Sequence, residues 1–385
     1  MEFSLNSEQE LIVNTVRRFV EEEIYPLEET VEKTGTVSRE MGEAVKNKCK
    51  ELGFYAANMP VEIGGGGLSH LDFTLLEREL GRGAMGLTVY FGRPSNILLA
   101  CTGEQRERYL LPAVRGDKID ALAMTEPNAG SDVRGMSCHA RYVDGDWIVN
   151  GGKHFISHAD IADFFIVFVA TGEETSVSGG RKKITCFLVD RDTPGFSVRA
   201  GYSSVSHRGY QNGVLHFNDC LLPATRVLGE PHCGFEMANT WLYATRLTVA
   251  AMCVGRARRV FDWALRYASE RRQFGRLIGK FQGVSFKLAD MITDIDAADW
   301  LTLAAAWRLD NGQPANREIA SAKLRASEML ASVTDEAVQI YGGMGLMDDL
   351  PLAKWWRDAR VERIWDGTSE IQRHIISREL LRPLE

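Results

Sequence analysis

The feature that most constrains the fold is a change of texture in the middle of the chain. From Ala121 to about Gly229, short runs rich in Val, Ile, Phe, Thr and Tyr (DWIVNG, FFIVFVA, KITCFLVD, FSVRA, GVLHFNDC) are separated by turns such as Asp144-Gly145 and Thr193-Pro194-Gly195. That spacing predicts an antiparallel β-domain, a sandwich or a barrel. The polar run TGEETSVSGGRKK over 171–183 reads as a loop within it. On both sides the pattern is helical. Ser7 with Glu10 has the form of a capping box, and helices are expected at 39–52, 71–84 and 104–115, broken by the turn Gly64-Gly65-Gly66-Gly67. After Gly234 the segments 235–268, 278–310 and 315–341 are long, alanine-rich and amphipathic, with a last helix at 368–382, which predicts a four-helix bundle. The expected fold class is α+β multidomain: an N-terminal helical domain (1–120), a middle antiparallel β-domain (121–230) and a C-terminal four-helix bundle (231–385).

Composition excludes whole classes of function. With 45% hydrophobic and 25% charged residues among 385, the chain can bury a large core and is not disordered. A net charge of -7 argues against a basic nucleic-acid surface. No apolar run is long enough to span a bilayer, and the N-terminus carries acidic residues where a signal peptide is basic. Seven cysteines without CxxC spacing read as reduced thiols, so the expected location is cytoplasmic. The histidines show no metal-ligand spacing, so no metal is expected. No GxGxxG follows a strand, and neither a phosphate loop nor a GxSxG elbow is present.

Three segments stand out. Met124-Thr125-Glu126-Pro127-Asn128-Ala129-Gly130-Ser131-Asp132 opens the β-domain with small residues and hydroxyls at a turn. It either admits a planar or anionic ligand close to the main chain or is a plain Pro/Asn/Gly turn. Asn150-Gly151-Gly152-Lys153-His154-Phe155-Ile156-Ser157 follows a strand. In Ile364-Trp365-Asp366-Gly367-Thr368-Ser369-Glu370-Ile371-Gln372 a carboxylate precedes a helix start, where a simple capping role is the plainer alternative.

Together with ERRQFG (270–275), QIYGGMG (339–345) and RDARVERIWDGTSEIQ, these segments make the whole chain resemble the acyl-CoA dehydrogenase family. The resemblance implies FAD held between the β-domain and the bundle, an acyl-CoA substrate, a homotetramer (a dimer of dimers) and an electron-transfer flavoprotein as partner. It matches Met124, Thr125 and Ser131 to flavin contacts, Ser131 also to the pantetheine arm. Phe155 takes the usual Trp place against the isoalloxazine, and Ser157 a hydroxyl place at the hydride-accepting nitrogen. Arg271 and Phe274 match the pyrophosphate and adenine side, and Thr368 and Glu370 further FAD contacts. Gln339, Gly342 and Gly343 match a second subunit's contribution. On the substrate side, Gly367 matches the backbone N–H beside the base. Tyr243 stands where several members have an acid near the pantetheine. Arg246 matches an arginine behind the catalytic carboxylate, or else is a helix-surface charge. Tyr90 and Arg93 fall at the far end of the acyl pocket, where Arg93 either meets a polar acyl tail or is a surface arginine before a Pro turn.

The implied reaction is α,β-desaturation of an acyl thioester, with a carboxylate taking the α-proton and the flavin the β-hydride. The base place, usually Glu, is Asp366, shorter by one bond of about 1.5 Å. Thr245 occupies the alternative base place and cannot serve. A cyclic or otherwise unusual acyl group processed by Asp366 is the favoured expectation. A nitroalkane-oxidase-like flavin oxidase and a non-catalytic FAD-binding member are the alternatives.

Overall fold

The computed structural model describes residues 4–176 and 179–382, without side chains for 174–180. The N-terminal part is helical: α1 (Ser7–Phe19), running through a π-helical turn into α2 (Tyr25–Thr34), then α3 (Arg39–Glu51), α4 (His70–Leu80) and the short α5 (Met85–Thr88) and α6 (Leu111–Arg115). The capping box of α1 lies one residue earlier than Ser7. Asn6 accepts from the Gln9 amide, and the Gln9 side chain returns to the Asn6 N–H, so an amide pair does the work expected of Ser7 and Glu10.

The middle strands are β1 (Asp120–Ala123), β2 (His139–Val143), β3 (Asp146–Ser157), β4 (Phe164–Ser176), β5 (Gly179–Asp190), β6 (Phe196–Ala200), β7 (Asn212–Pro223) and β8 (Val227–Leu228). They join in the order β6-β7-β3-β2-β4-β5-β8, with β1 alongside β4. The sheet is antiparallel except where β1 and β2 run parallel to β4. Most of the run at 171–183 is strand, not loop. β4 and β5 continue their ladder to Ser176 and Gly179, and a Glu173–Lys182 ion pair crosses it, so the charges that suggested a loop pair across strands. Val177 and Ser178, within that run, lie outside the described residues.

The apolar run of β4 is buried on both faces. Phe165, Val167 and Val169 point into the sheet's own core, with Trp147, Val149, Phe187 and Leu215. Phe164, Ile166, Phe168 and Ala170 pack against Tyr109, Leu110 and Ala113 of the helical layer. That is why the run lacks polar alternation. The long α7 (Gly234–Glu270) leads through the hairpin of β9 (Arg272–Gln273) and β10 (Arg276–Leu277) to α8 (Gln282–Asp310), α9 (Asn316–Tyr341), α10 (Leu352–Glu362) and α11 (Ser369–Leu381). Buried alanines on α7, α8 and α9 let the helices approach closely around Val254, Ile295, Leu330 and Trp355.

An ion pair joins the N-terminal helices to the bundle. Arg259 of α7 grips Glu28 of α2 through two bonds of 2.8 Å, and its guanidinium lies 3.5 Å from the Tyr25 ring centroid. Both residues are buried, so losing one leaves an uncompensated charge. Arg259→Leu is expected to cost about 3–5 kcal/mol, read as a lower midpoint of the first thermal transition. Adding Glu28→Gln to that variant should restore part of it.

Candidate active site

Two of the motifs meet through a buried ion pair. Lys153, on β3, reaches Glu126 at 2.7 Å and the Met124 carbonyl at 3.1 Å. Glu126 also accepts from the Ser137 amide (2.6 Å), the Ser137 hydroxyl (2.7 Å) and the Cys138 amide. Burial pushes this carboxyl up, but the Lys153 charge and these bonds more than offset it and hold the group below its ordinary range. The His154 amide donates to the Thr125 carbonyl at 3.0 Å, completing the join. The 124–132 turn is therefore fixed to β3, and Met124 has its side chain in the apolar core. Thr125 is half-buried, and Ser131 is exposed on the turn.

At its end β3 breaks register with β7 between Lys153 and Ile156, and Phe155 takes a left-handed φ of 56°. This bulge turns the Phe155 ring outward to 55% exposure, against His154 (4.0 Å between centroids) and Tyr202 (5.1 Å). The His154 Nδ1 beside it is buried without a hydrogen-bond partner.

The third motif is a turn between α10 and α11. Asp366 (φ 53°) and Gly367 (φ 94°) are both left-handed, and a Cβ on Gly367 would lie 2.7 Å from the Gln372 side-chain nitrogen, so this position requires glycine. Three side chains take up the turn's carbonyls. Lys323 donates to those of Glu362 (2.7 Å) and Gly367 (2.9 Å), Arg246 to that of Asp366 (3.1 Å), and Gln372 to that of Gly367 (2.8 Å). Arg246 is buried and is no surface charge. Thr368 caps α11 by accepting from the Ile371 amide. The exposed Glu370 carboxyl is held down by its own backbone amide and by Thr368.

Removal from water pushes the Asp366 carboxyl up to about 6. Lys323 and Arg246 pull it down, Glu362 pushes it up, and Thr245 stands 3.5 Å away as a weak donor. Tyr210 bridges the two halves of the site. Its ring is 5.8 Å from Trp365 and 5.0 Å from His158, and burial pushes its hydroxyl up to about 12 although the nearby Ser157 side chain pulls it down. A hydroxyl at the end of β3 and a carboxylate of raised pKa thus flank one tyrosine.

Other expected positions lie elsewhere. Arg93 is an internal ion-pair partner, not a surface residue: its Nε meets the buried Glu77, while its Nη2 is buried without a hydrogen-bond partner. With Tyr90, Tyr55 and His158 it lines a cavity of about 90 Å³. Tyr243 packs half-buried against the bundle core. Arg271, Phe274, Gln339, Gly342 and Gly343 are exposed, Phe274 at 93%: Gln339 in the last turn of α9 and the others just beyond the C-terminal ends of α7 and α9, which the stacked Tyr267 and Tyr341 rings hold together. Arg246 and Arg271 are 25 positions apart in sequence, and α7 separates them by roughly 37 Å.

Models of three acyl-CoA dehydrogenase domains match in order: the N-terminal domain over 6–117, the middle domain over 121–220 and the C-terminal domain over 232–381. The chain belongs to the acyl-CoA dehydrogenase family. It is 37% identical to a probable acyl-CoA dehydrogenase of Bacillus subtilis, over 99% of this chain and all of that one. It is 36% identical to the benzylmalonyl-CoA dehydrogenase of Aromatoleum aromaticum, over 99% of this chain and all of that one. Butyryl-CoA dehydrogenase from Megasphaera elsdenii superposes with a TM-score of 0.89 at 34% identity, covering 99% of this chain and all of that chain.

The family's cofactor is FAD, and the residues present fit it. An outward aromatic ring at Phe155, the unpartnered His154 Nδ1, hydroxyls at Thr125, Ser131 and Ser157, and open space around Gly342 and Gly343 suit a flat ring system with a polar tail. The protein is an FAD-dependent acyl-CoA dehydrogenase. Several side chains of the site carried no role in the sequence reading: Glu126 and Lys153, Lys323, Gln372, Tyr210 and the groups behind Trp365. The available signal was polarity on a buried helix face. Lys323 lies among Ile319, Ala320, Ala326 and Leu330, and Gln372 between Ser369 and Ile375.

Because the folded pKa of Asp366 exceeds its ordinary value of 3.8, its ionised form costs stability. The cost is absent below pH 3.8, grows as pH rises towards 6 and is complete above it. Asp366→Asn is therefore expected to stabilise the FAD-loaded protein by about 2 kcal/mol near pH 7.5 and to add nothing near pH 4, as read from thermal midpoints at both pH values.

Proposed function

We propose that Asp366 is the base that removes the α-proton of the acyl thioester. The observation that carries this reading is the carboxyl's setting: on a turn whose carbonyls Arg246, Lys323 and Gln372 hold, with a pKa raised to about 6. A base titrating near the working pH is ionised yet basic enough to act. The Gly367 N–H, next in the chain, stabilises charge developing on the thioester oxygen. When bound, FAD accepts the β-hydride.

In this reading Phe155 packs against the flavin ring and Ser157 bonds to its reactive edge. Met124 and Thr125 contact the flavin, Ser131 serves flavin and pantetheine alike, and Thr368 and Glu370 add FAD contacts. Tyr243 and Arg246 lie along the acyl-CoA, and Tyr90 and Arg93 close the acyl pocket. Because Arg93 is already engaged by Glu77, it serves a polar acyl tail through its unpartnered Nη2 rather than as a free charge. The roughly 37 Å along α7 supports assigning Arg271, Phe274, Gln339, Gly342 and Gly343 to the FAD of another copy, hence a homotetramer. An electron-transfer flavoprotein takes the electrons on. No helix among the described residues is long and apolar enough to cross a membrane, and all seven cysteines are unpaired, which supports a cytoplasmic location.

Anaerobic mixing with a panel of acyl-CoA thioesters should bleach the bound flavin, with a rate that rises with pH through an apparent pKa near 6. Asp366→Asn should stay yellow and not bleach. Bleaching by nitroalkanes and by no thioester would overturn the assignment, and an active Asp366→Asn would remove Asp366 from the reaction.

A further inference from the structure

Behind the Asp366 turn lies a second cluster of buried ionic groups, to which the reaction assigns nothing. His207 sits in the 201–211 segment between β6 and β7 and is 3% exposed. Its ring stacks on Trp365, the residue before Asp366, at 5.2 Å between centroids and 17° between planes. Its Nε2 is 2.8 Å from Glu362 Oε1, and because a carboxylate oxygen only accepts, this nitrogen carries the hydrogen. The other Glu362 oxygen accepts from the Trp365 indole N–H at 2.8 Å, and the buried Arg256 of α7 holds Oε1 from the far side. Glu362 thus grips the edge of the indole while His207 covers its face.

The segment carrying His207 is itself anchored to α10. The His207 amide donates to Asp358 Oδ1 at 2.5 Å, the Ser206 hydroxyl to the Arg357 carbonyl at 2.6 Å, and Lys354 pairs with Asp358. Three residues beyond His207 comes Tyr210, whose amide donates to the His207 carbonyl and whose hydroxyl lies near the Ser157 side chain. One short segment therefore touches both halves of the site.

We infer that His207, Glu362 and Arg256 form a positioning triad that clamps the Trp365 indole and thereby sets where the short carboxylate of Asp366 points. The inference rests on the reading of Asp366 as base. A carboxylate one methylene short depends on its backbone for placement, and this backbone is left-handed at two successive residues. Holding such a turn requires fixed neighbours on both sides. Arg246, Lys323 and Gln372 fix its carbonyls, and the triad fixes the side chain that precedes it. None of the three triad residues touches the Asp366 carboxylate: His207 and Glu362 hold Trp365, Arg256 holds Glu362, and Glu362 in addition acts on Asp366 through its charge.

The charged and titratable groups around the clamp are known from each packed element. Arg256, Arg246 and the buried Cys253 thiol come from α7, Lys323 from α9, Glu362, Asp358 and Lys354 from α10, and Tyr210 from the 201–211 segment. From the N-terminal helices, Glu77 and Arg93 lie within electrostatic reach of Arg256 and Tyr210 respectively. Burial pushes Glu362 up, but Arg256 and His207 more than offset this, so it stays ionised and its charge in turn raises Asp366.

The test uses FAD-loaded enzyme, with butyryl-CoA and 3-phenylpropanoyl-CoA as probes. In His207→Leu, amide hydrogen exchange across 363–368 should speed at least about tenfold, as expected of a turn that has lost its clamp. The anaerobic flavin-reduction rate should fall by about ten- to a hundredfold while the Kd for the thioester is unchanged. His207→Gln, which keeps a donor for Glu362, should recover part of both. Glu362→Gln should move the pH profile of reduction downward, because it removes a charge that raises the base. Wild-type exchange and wild-type reduction in His207→Leu would overturn the inference. If that variant does not fold, Trp365→Phe, which removes the indole N–H that Glu362 holds together with part of the ring face that His207 covers, is read by the same two measurements. An active Asp366→Asn would instead remove the base assignment, and the exchange result would still decide whether the clamp holds the turn.

Discussion

An amine buried among helices holds the Asp366 turn together. Lys323 sits on the face of α9 that otherwise carries alanine, leucine and isoleucine, and it spends its hydrogen bonds on two carbonyls of a turn with no regular structure. Burial lowers its pKa, and the Asp366 and Glu362 charges push back. Without such donors the turn would place unpaired carbonyls inside the protein, each costing about 1–3 kcal/mol. With them, two consecutive left-handed residues become tolerable, and a carboxylate can be kept away from water at a fixed place. Arg246 and Gln372 serve the same end from two other helices.

The second dependence lies in the β-domain. β4 is coated with apolar residues on both faces, so it joins the sheet's own core to the helical layer and fixes the orientation of β3 and its neighbours. Lys153 and Glu126 then tie the 124–132 turn to β3 from inside. The Lys153–Glu126 pair and the donors that hold the Asp366 turn are interior and hydrogen-bonded to one another or to main chain, which makes them expensive to disturb singly and inexpensive to keep as a set.

The layered architecture was legible because periodicity changes with secondary structure. The run FFIVFVA reads as a strand from its β-branched and aromatic content and the alanine-rich segments read as packed helices, whereas the burial of β4 on both faces depends on the helical layer that covers it. Asp366 was legible as a candidate because a carboxylate precedes a Gly-Thr-Ser helix start. The strand character of 171–176 and 179–183 was not, since Glu173 and Lys182 pair across strands where an alternation with apolar residues would have been the signal. The Asn6 cap was missed by one residue because Ser7 and Glu10 offer the same spacing. Arg93 had two readings as an exposed or ligand-facing group, and its engagement by Glu77 depends on a residue sixteen positions away, on α4. Long-range partners such as Lys323 with Gly367, or His207 with Glu362, leave no local trace. Only a polar residue on an apolar face hints at them.

The length of α7 has a consequence of its own. One helix carries Arg246 at the carboxylate turn and leads, many turns later, to the exposed Arg271 and Phe274. If residues from both ends face the same kind of cofactor, no single chain can close around it. Each bound flavin then acts as a rivet between chains. Dilution, flavin loss and disassembly become one linked equilibrium, in which adding free cofactor promotes assembly as surely as adding protein promotes flavin retention.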